Sequence, residues 1–258
     1  MRLGGTKTAF ALLAASSAAF GEGRIVITEI MYNPDSNERG GATEWVELAN
    51  VGDEPIQITD WKLRDEDRSG WGAFSVRLEP GGVVVLVNEK AVSEASFRAA
   101  WNADSPIHGE SEPMTDPGEE TSGEPAYAII PVKWGSLANS PSAENERLKL
   151  LDEKGEVICE VNFEEGDDWP ICGNPDGASI WLTDPAATDL NDGRLWRRSE
   201  AGEAGARVCR RTEVFDGADV GSPGALPPPV DRRPVAPTAE EEKTAKDEAT
   251  GEDDRIDY

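Results

Sequence analysis

The chain has 258 residues, of which 38% are hydrophobic and 29% are charged, and its formal net charge is −26 at pH 7. Residues 1–21 carry two bases and no acids, and residues 225–258 carry ten acids and five bases, so residues 22–224 alone carry −23. A surface this negative repels phosphate backbones and anionic lipid headgroups, which excludes nucleic-acid binding and recruitment to acidic membranes. It is compatible with divalent cations, with basic protein partners and with a soluble monomer.

Residues 1–21 have the pattern of a secretory signal peptide. Arg2 and Lys7 give a basic start, and Thr8 to Phe20 form an apolar, small-residue run that is too short to span a bilayer as a helix. Cleavage is predicted after Ala19 or Gly21, because both sites place small residues where the peptidase reads them. We therefore expect an exported protein without a membrane span, located outside the cell, in the periplasm or on the cell envelope.

Four segments of the first hundred residues are typical of β-strands. Each is rich in β-branched or aromatic residues and ends in Pro, Gly, Asn or Asp. They are residues 25–32, 44–50, 56–63 and 78–88. The continuous apolar run Val83 to Val87 predicts a strand that is covered on both faces. Residues 91–101 then have helical spacing, with Phe97 and Trp101 four residues apart.

The second half resumes the strand pattern after a polar loop at residues 102–126. Residues 127–132 are apolar and are expected to rejoin the sheet, and residues 147–163 predict a hairpin around a Gly-containing turn. Residues 225–258 contain almost no apolar side chains. Such a segment buries too little surface to offset the entropy of ordering, so a disordered acidic tail is predicted.

The order of these phrases resembles the lamin tail domain, a module found at the end of nuclear lamins and in many secreted bacterial proteins. In the first half the matching phrases are Glu44 to Asn50, Asp60 to Leu63 and Leu78 to Gly81. In the second half they are Leu137 to Asn139, Leu148 to Asp152, Trp169, Gly177 to Ser179, Trp196 to Ser199 and Gly221 to Gly224. The resemblance covers about residues 24–224, with residues 89–133 and 200–220 as insertions.

The resemblance implies an all-β fold, an immunoglobulin-like antiparallel β-sandwich of about seven to nine strands over residues 22–224. It also implies a non-catalytic module that often accompanies surface or secreted enzymes. On this interpretation five tryptophans are anchors of the core or cover a sheet, namely Trp45, Trp61, Trp169, Trp181 and Trp196. The favoured function is a secreted module that binds a protein or a cell-surface partner.

An enzymatic alternative rests on Glu29, Glu44 and Glu47, which lie on or near two strands that are expected to pair. Two carboxylates at a suitable separation catalyse glycoside hydrolysis. The resemblance assigns Glu44 and Glu47 to a structural phrase instead. The single histidine, His108, lies in the acidic loop, and the chain has no Gly-x-Ser-x-Gly motif to supply a nucleophile. We therefore predict no catalytic residues and no enzyme activity.

A second alternative is a calcium-stabilised adhesion or glycan-binding module. Aspartate-rich loops offer the hard oxygen ligands that Ca²⁺ prefers, although their spacing does not fit an EF-hand. The weak calcium candidates are Asp184, Asp189, Asn191 and Asp192. Asp and Gly are also ordinary turn residues. No cofactor other than calcium is indicated.

The chain has three cysteines, Cys159, Cys172 and Cys209. Cys159 alternates with Val157 and Val161, which predicts a buried free thiol. Cys172 and Cys209 lie in polar, loop-like segments and are the candidate pair for a disulfide, which export permits. No CxxC spacing is present, so a zinc site is not favoured.

Overall fold

The computed structural model describes residues 23–37, 39–65, 71–101, 127–137, 146–163, 168–170 and 177–226. These residues belong to one compact unit, Met1–Pro227. The predicted signal peptide, the loop with His108, and the tail beyond residue 226 lie outside the described residues, so those interpretations stay predictions.

The described ranges contain twelve strands and one α-helix. In chain order they are β1 Ile25–Met31, β2 Trp45–Asn50, β3 Ile56–Arg64, β4 Ala73–Leu78, β5 Val83–Asn88, α1 Glu94–Trp101, β6 Ala128–Val132, β7 Glu146–Leu151, β8 Val157–Phe163, β9 Ile180–Leu182, β10 Trp196–Arg198, β11 Arg207–Val208 and β12 Val220–Gly221. The predicted helix, the return of residues 127–132 to the sheet, and the hairpin of β7 and β8 are confirmed.

Two sheets form a β-sandwich. The larger sheet has the strand order β10-β9-β1-β2-β5-β6, and the smaller has the order β4-β3-β7-β8. Their facing sides bury one apolar cluster that includes Ile27, Leu48, Leu86, Leu150 and Val161. Strand β3 shows the expected alternation for a sheet with one face in solvent, whereas every residue of β1, β2 and β5 is buried.

The larger sheet is buried on both sides because the chain covers its outer face. Helix α1 and residues 199–226 lie over this face and form a second apolar cluster with it. At its centre the rings of Trp45, Phe97, Trp101 and Phe215 contact one another edge to face or tilted, with centroids 5.7–6.1 Å apart. The prediction that residues 83–87 are covered on both faces is therefore confirmed.

The structure differs from the sequence prediction in strand number and direction. The two main sheets together contain ten strands rather than seven to nine. Strand β6, supplied by the 89–133 insertion, extends the larger sheet, and it pairs with β5 in parallel rather than antiparallel. A parallel pair needs a long crossover connection, and residues 89–127 supply one between β5 and β6.

Three side chains are less buried than predicted, and one of them is Cys159, which is half-buried. Trp181 is only half-buried, whereas Trp45, Trp61, Trp169 and Trp196 are buried as expected. The pairing of β7 with β8 shifts register between Leu150 and Leu151, which disturbs the alternation at the start of β8. Val157 is consequently 51% exposed, although the alternation predicted that it would share the core face with Cys159.

Candidate functional site

The three glutamates proposed as catalytic groups are all buried. Glu29 is 1%, Glu44 3% and Glu47 0% exposed. Glu29 on β1 lies directly opposite Glu47 on the adjacent strand β2. Both share the outer face of the larger sheet with Met31 and Trp45, since side chains alternate along a strand. Glu29 and Glu47 therefore form a carboxylate pair beneath the segment that covers this face.

Glu29 receives hydrogen bonds from three serines of the C-terminal third of the described chain. The backbone N–H and the hydroxyl of Ser222 donate to its two carboxylate oxygens over 2.8 and 2.7 Å. The Ser179 hydroxyl makes a short hydrogen bond to Oε1, and the Ser199 hydroxyl lies 3.4 Å from the same atom. These donors replace the water that a buried carboxylate has lost.

Glu47 binds Gly224, which lies two residues after Ser222 in the chain. The backbone N–H of Gly224 donates to its Oε2 over 2.7 Å, and the Thr28 hydroxyl donates to Oε1 over 2.7 Å. Gly224 has a φ of 86°, and an added Cβ would lie 2.1 Å from the ring of Tyr127. Only glycine fits here, so the contact depends on the residue type as well as on the carboxylate. We call residues 221–224 the latch, because Ser222 and Gly224 fasten them to the carboxylate pair.

The burial of the carboxylate pair changes its protonation. Burial raises the pKa of Glu29, and the hydrogen bonds from Ser179 and Ser222 oppose that change. Burial also holds the pKa of Glu47 well above its ordinary value, and the charge of neighbouring Glu29 raises it further. The positive charge of Arg207 lowers the pKa of Glu47, but this effect is smaller than the increase caused by burial. Two like charges in one dry site favour keeping a proton on the pair.

Glu44 is separate from this pair and organises a different segment. Its carboxylate accepts hydrogen bonds from the Trp134 indole N–H over 2.8 Å and from the Leu137 backbone N–H over 2.7 Å, while the Ser136 hydroxyl donates over 3.3 Å. The side chain thus fixes the segment that follows β6 against the start of β2. Glu44 therefore has a structural role, as its resemblance to a lamin tail domain phrase predicted.

The geometry gives no support to the hydrolase alternative. A glycosidase needs its acid and its base on either side of a bound substrate, with access for water. Glu29, Glu44 and Glu47 are instead buried, and their oxygens accept hydrogen bonds from the chain itself. The arrangement can fasten segments to the sheet and can hold a proton.

The calcium candidates stabilise turns in the structure. Asp184, Asp189 and Asp192 each accept a hydrogen bond from the backbone N–H two residues ahead, and Asp192 also pairs with Arg194 over 2.9 Å. The Asn191 side chain accepts from the backbone N–H of Asn162 on β8 over 2.7 Å. Within the ranges that the structure describes, no three His, Cys, Asp or Glu side chains are grouped to hold a metal ion.

The cysteines divide between described and undescribed parts of the chain. Cys159 packs against the inter-sheet core, and burial raises the pKa of its thiol to about 12. Burial raises the pKa of the Cys209 thiol to about 11, so both thiols stay protonated at neutral pH. Cys172 lies outside the described residues, and its disulfide with Cys209 stays a prediction.

Sequence reasoning identified both halves of the latch contact but not the contact itself. Glu47 belongs to one family-like phrase and Gly221 to Gly224 to another. Both phrases belong to the ordered series that resembles the lamin tail domain. Their occurrence in one series could have indicated that Glu47 contacts residues 221–224. Ser179 and Ser199 also belong to such phrases, and both reach the Glu29 carboxylate.

None of the helices within the described ranges has the length and apolar character needed to cross a bilayer. No curated protein matches the chain. A solved structure of a DUF4876 family protein from Bacteroides thetaiotaomicron is similar over 85% of this chain and 75% of that chain, with 10% identity and a TM-score of 0.30. That score is too low to support an argument about function.

The family comparison is more informative. The model described as Lamin Tail Domain matches residues 18–165, which include β1 to β8. The match ends before β9, β10 and the latch, so the extension of the likeness to residue 224 stays a prediction. Lamin tail domains are generally non-catalytic, and no catalytic family is evident for the chain. Since the match covers more than half of the sequence, the chain belongs to the lamin tail domain family.

Proposed function

We propose that this protein is an exported, non-catalytic module that acts as a monomer by binding another protein at the cell surface. The observation that carries the proposal is an apolar patch at the edge of the smaller sheet. Val157 and Ile158 on β8 are 51% and 40% exposed, in a chain with 51 acidic and 25 basic residues. Contiguous exposed apolar residues with a polar rim mark protein interaction sites, and Val157 and Ile158 are adjacent in the chain.

The roles of the buried glutamates support the same proposal, because they leave the enzymatic alternative without catalytic groups. Glu29, Glu44 and Glu47 were the best catalytic candidates in the sequence, and each is committed to holding a segment of the fold. The net charge of −26 favours partners with a basic surface and disfavours nucleic acid. A bacterial envelope protein with a positive, partly apolar surface meets both requirements.

The export part of the proposal is tested by expressing the full chain in a bacterial host and separating the periplasm from the cytoplasm. We expect the protein in the periplasm, with a new N-terminus after Ala19 or Gly21. Replacement of Arg2 and Lys7 by glutamate removes the basic start and should retain the precursor in the cytoplasm. Recovery of the uncleaved wild-type chain from the cytoplasm would contradict export.

The binding part is tested by capture from a detergent-solubilised envelope fraction on the immobilised full chain. We expect at least one protein to be retained in proportion to the amount of bait and to be released by salt, because charge contributes to the contact. Beads that carry an unrelated protein of similar net charge are the matched control. Repeated recovery of the same proteins on both kinds of bead would contradict a specific interaction.

A further inference from the structure

A groove runs beside the exposed edge of strand β8, where the two sheets separate. It encloses a cavity of about 730 Å³. Strand β8 forms one wall, the start of β1 and the side chains Ile56 and Trp61 form the floor, and residues 188–191 form the other wall. We call this feature the β8 groove. Its volume lies within the range of sites that bind small molecules or a few side chains.

The wall opposite β8 is held in place by Arg24. The Arg24 guanidinium donates to the carbonyls of Pro185 and Ala186 over 3.3 Å and makes a short hydrogen bond to the carbonyl of Ala187. Three carbonyl contacts from one side chain tie this loop to the start of β1. The groove is therefore formed in advance, which lowers the entropic cost of binding.

Within the described ranges β8 is the terminal strand of its sheet, and it presents to this groove a backbone edge that pairs with no further strand. Asn162 directs its N–H away from β7 and donates to the Asn191 side chain over 2.7 Å. Because N–H and C=O groups alternate between the two sides of a strand, Glu160 also directs its backbone groups away from β7. In the described part of the chain no backbone hydrogen bond satisfies them. Asn191 shows that this edge accepts a hydrogen-bonding partner from outside the sheet.

The start of this edge is apolar, and the bulge and the charged Glu160 follow it along the strand. Charged side chains and proline normally prevent an edge from pairing with another chain. Here the bulged start of β8 exposes Val157 and Ile158. An apolar edge next to a preformed cavity is suited to receive an additional strand.

We propose that the β8 groove binds an extended peptide segment of a partner protein, in which apolar and basic residues alternate, as an added strand beside β8. The proposal rests on the proposed binding function and specifies its site. Inward side chains of the peptide enter the cavity between Ile25 and Trp61, and this requires apolar residues. Outward side chains lie near Asp189, where lysine or arginine is favoured, and beside Glu160, which already pairs with Arg147 and Lys149. The acidic net charge excludes an acidic peptide.

The test measures binding of fluorescent peptides to the full chain at an ionic strength of about 0.15 M, where long-range attraction is screened. One peptide alternates valine and lysine, and the control has the same composition with valines and lysines in separate blocks. A third carries N-methyl groups on alternate residues, so that its edge cannot pair. We expect the alternating peptide to bind at least about tenfold more tightly than either control.

Substitution of the groove edge gives a second, independent measurement. Ile158→Lys places a like charge beside the lysines of the peptide and should weaken its binding by about tenfold. Val208→Lys makes the same change at a residue that is 48% exposed on β11, and it should leave binding unchanged. If Ile158→Lys lowers the melting temperature, Ile158→Thr removes most of the apolar contact and keeps the β-branched shape.

The outcomes separate this inference from the broader function. Equal binding of the alternating, block and N-methylated peptides would overturn strand addition, and so would equal effects of the two lysine substitutions. In the envelope capture, retention of the same partner by wild type and Ile158→Lys would overturn the β8 groove while leaving the binding function intact. Failure of the wild type to retain any specific partner would instead overturn the binding function.

Discussion

The carboxylate pair predicts an unusual dependence of stability on pH. In the unfolded chain Glu47 loses its proton near its ordinary pKa of 4.5, whereas in the folded chain burial and Glu29 raise that pKa well above it. Between the two values the folded state binds one more proton than the unfolded state. The free energy of unfolding therefore falls as pH rises through this window, by about 1.4 kcal/mol per pH unit for one proton.

The substitution Glu47→Gln should remove most of this slope. A glutamine has the shape of a protonated glutamate, and its carbonyl can accept from the Gly224 N–H while its amide donates to the Thr28 hydroxyl, which also serves as an acceptor. We expect the variant to match the wild type near pH 4.5. Above that pH it should become progressively more stable than the wild type, by up to about 1.4 kcal/mol for each pH unit in the window.

The measurement is urea unfolding followed by tryptophan fluorescence at a series of pH values. Glu79→Gln is the charge-matched control, because Glu79 is exposed and pairs with exposed Arg77 at 2.9 Å. It controls for the general repulsion in a protein of net charge −26. If Glu47→Gln and Glu79→Gln give parallel pH profiles, the reasoning that the buried pair retains a proton is wrong.

Three further substitutions test the latch and the aromatic cluster by urea unfolding. Ser222→Ala removes the hydroxyl that donates to Glu29 over 2.7 Å and should cost about 1–3 kcal/mol; a cost near zero would contradict a structural role for this bond. Gly224→Ala should cost clearly more stability than Gly81→Ala. Both glycines have a positive φ, but of the two only Gly224 would place the added Cβ in a clash, 2.1 Å from the ring of Tyr127. Equal costs would contradict the clash. Phe97→Ala should cost about 3–5 kcal/mol, since Phe97 is fully buried against Trp45 and Trp101, and a cost below about 1 kcal/mol would show that the helix is not docked as described.

Local sequence patterns predicted the strands and the helix because those elements are determined by residues close together in the chain. The β-branched run at Val83 to Val87 identified a strand covered on both faces, and the spacing of Phe97 and Trp101 identified α1. The parallel pairing of β6 with β5 was not predictable in this way. The direction of β6 depends on where a long insertion returns to the sheet. The local propensities of its residues do not determine that position.

The role of the glutamates could be predicted only in part for the same reason. The alternation in β2 places Glu47 on the face opposite Leu48, but it does not show that residues 199–226 cover that face. The partners of Glu29 lie as far as Ser222 along the sequence. The β8 groove was missed because its walls and floor come from four separate segments, and because the bulge that exposes Val157 interrupts the alternation that sequence analysis relies on.

The separation of 193 residues between Glu29 and Ser222 has a consequence for biosynthesis. The first strand leaves the ribosome long before the residues that complete its surroundings have been made, so Glu29 lacks its serine partners during most of translation. Contacts between such distant parts of a chain form slowly, since the intervening loop must close first. The nascent polypeptide therefore cannot complete the surroundings of Glu29 until residues 221–224 emerge from the ribosome.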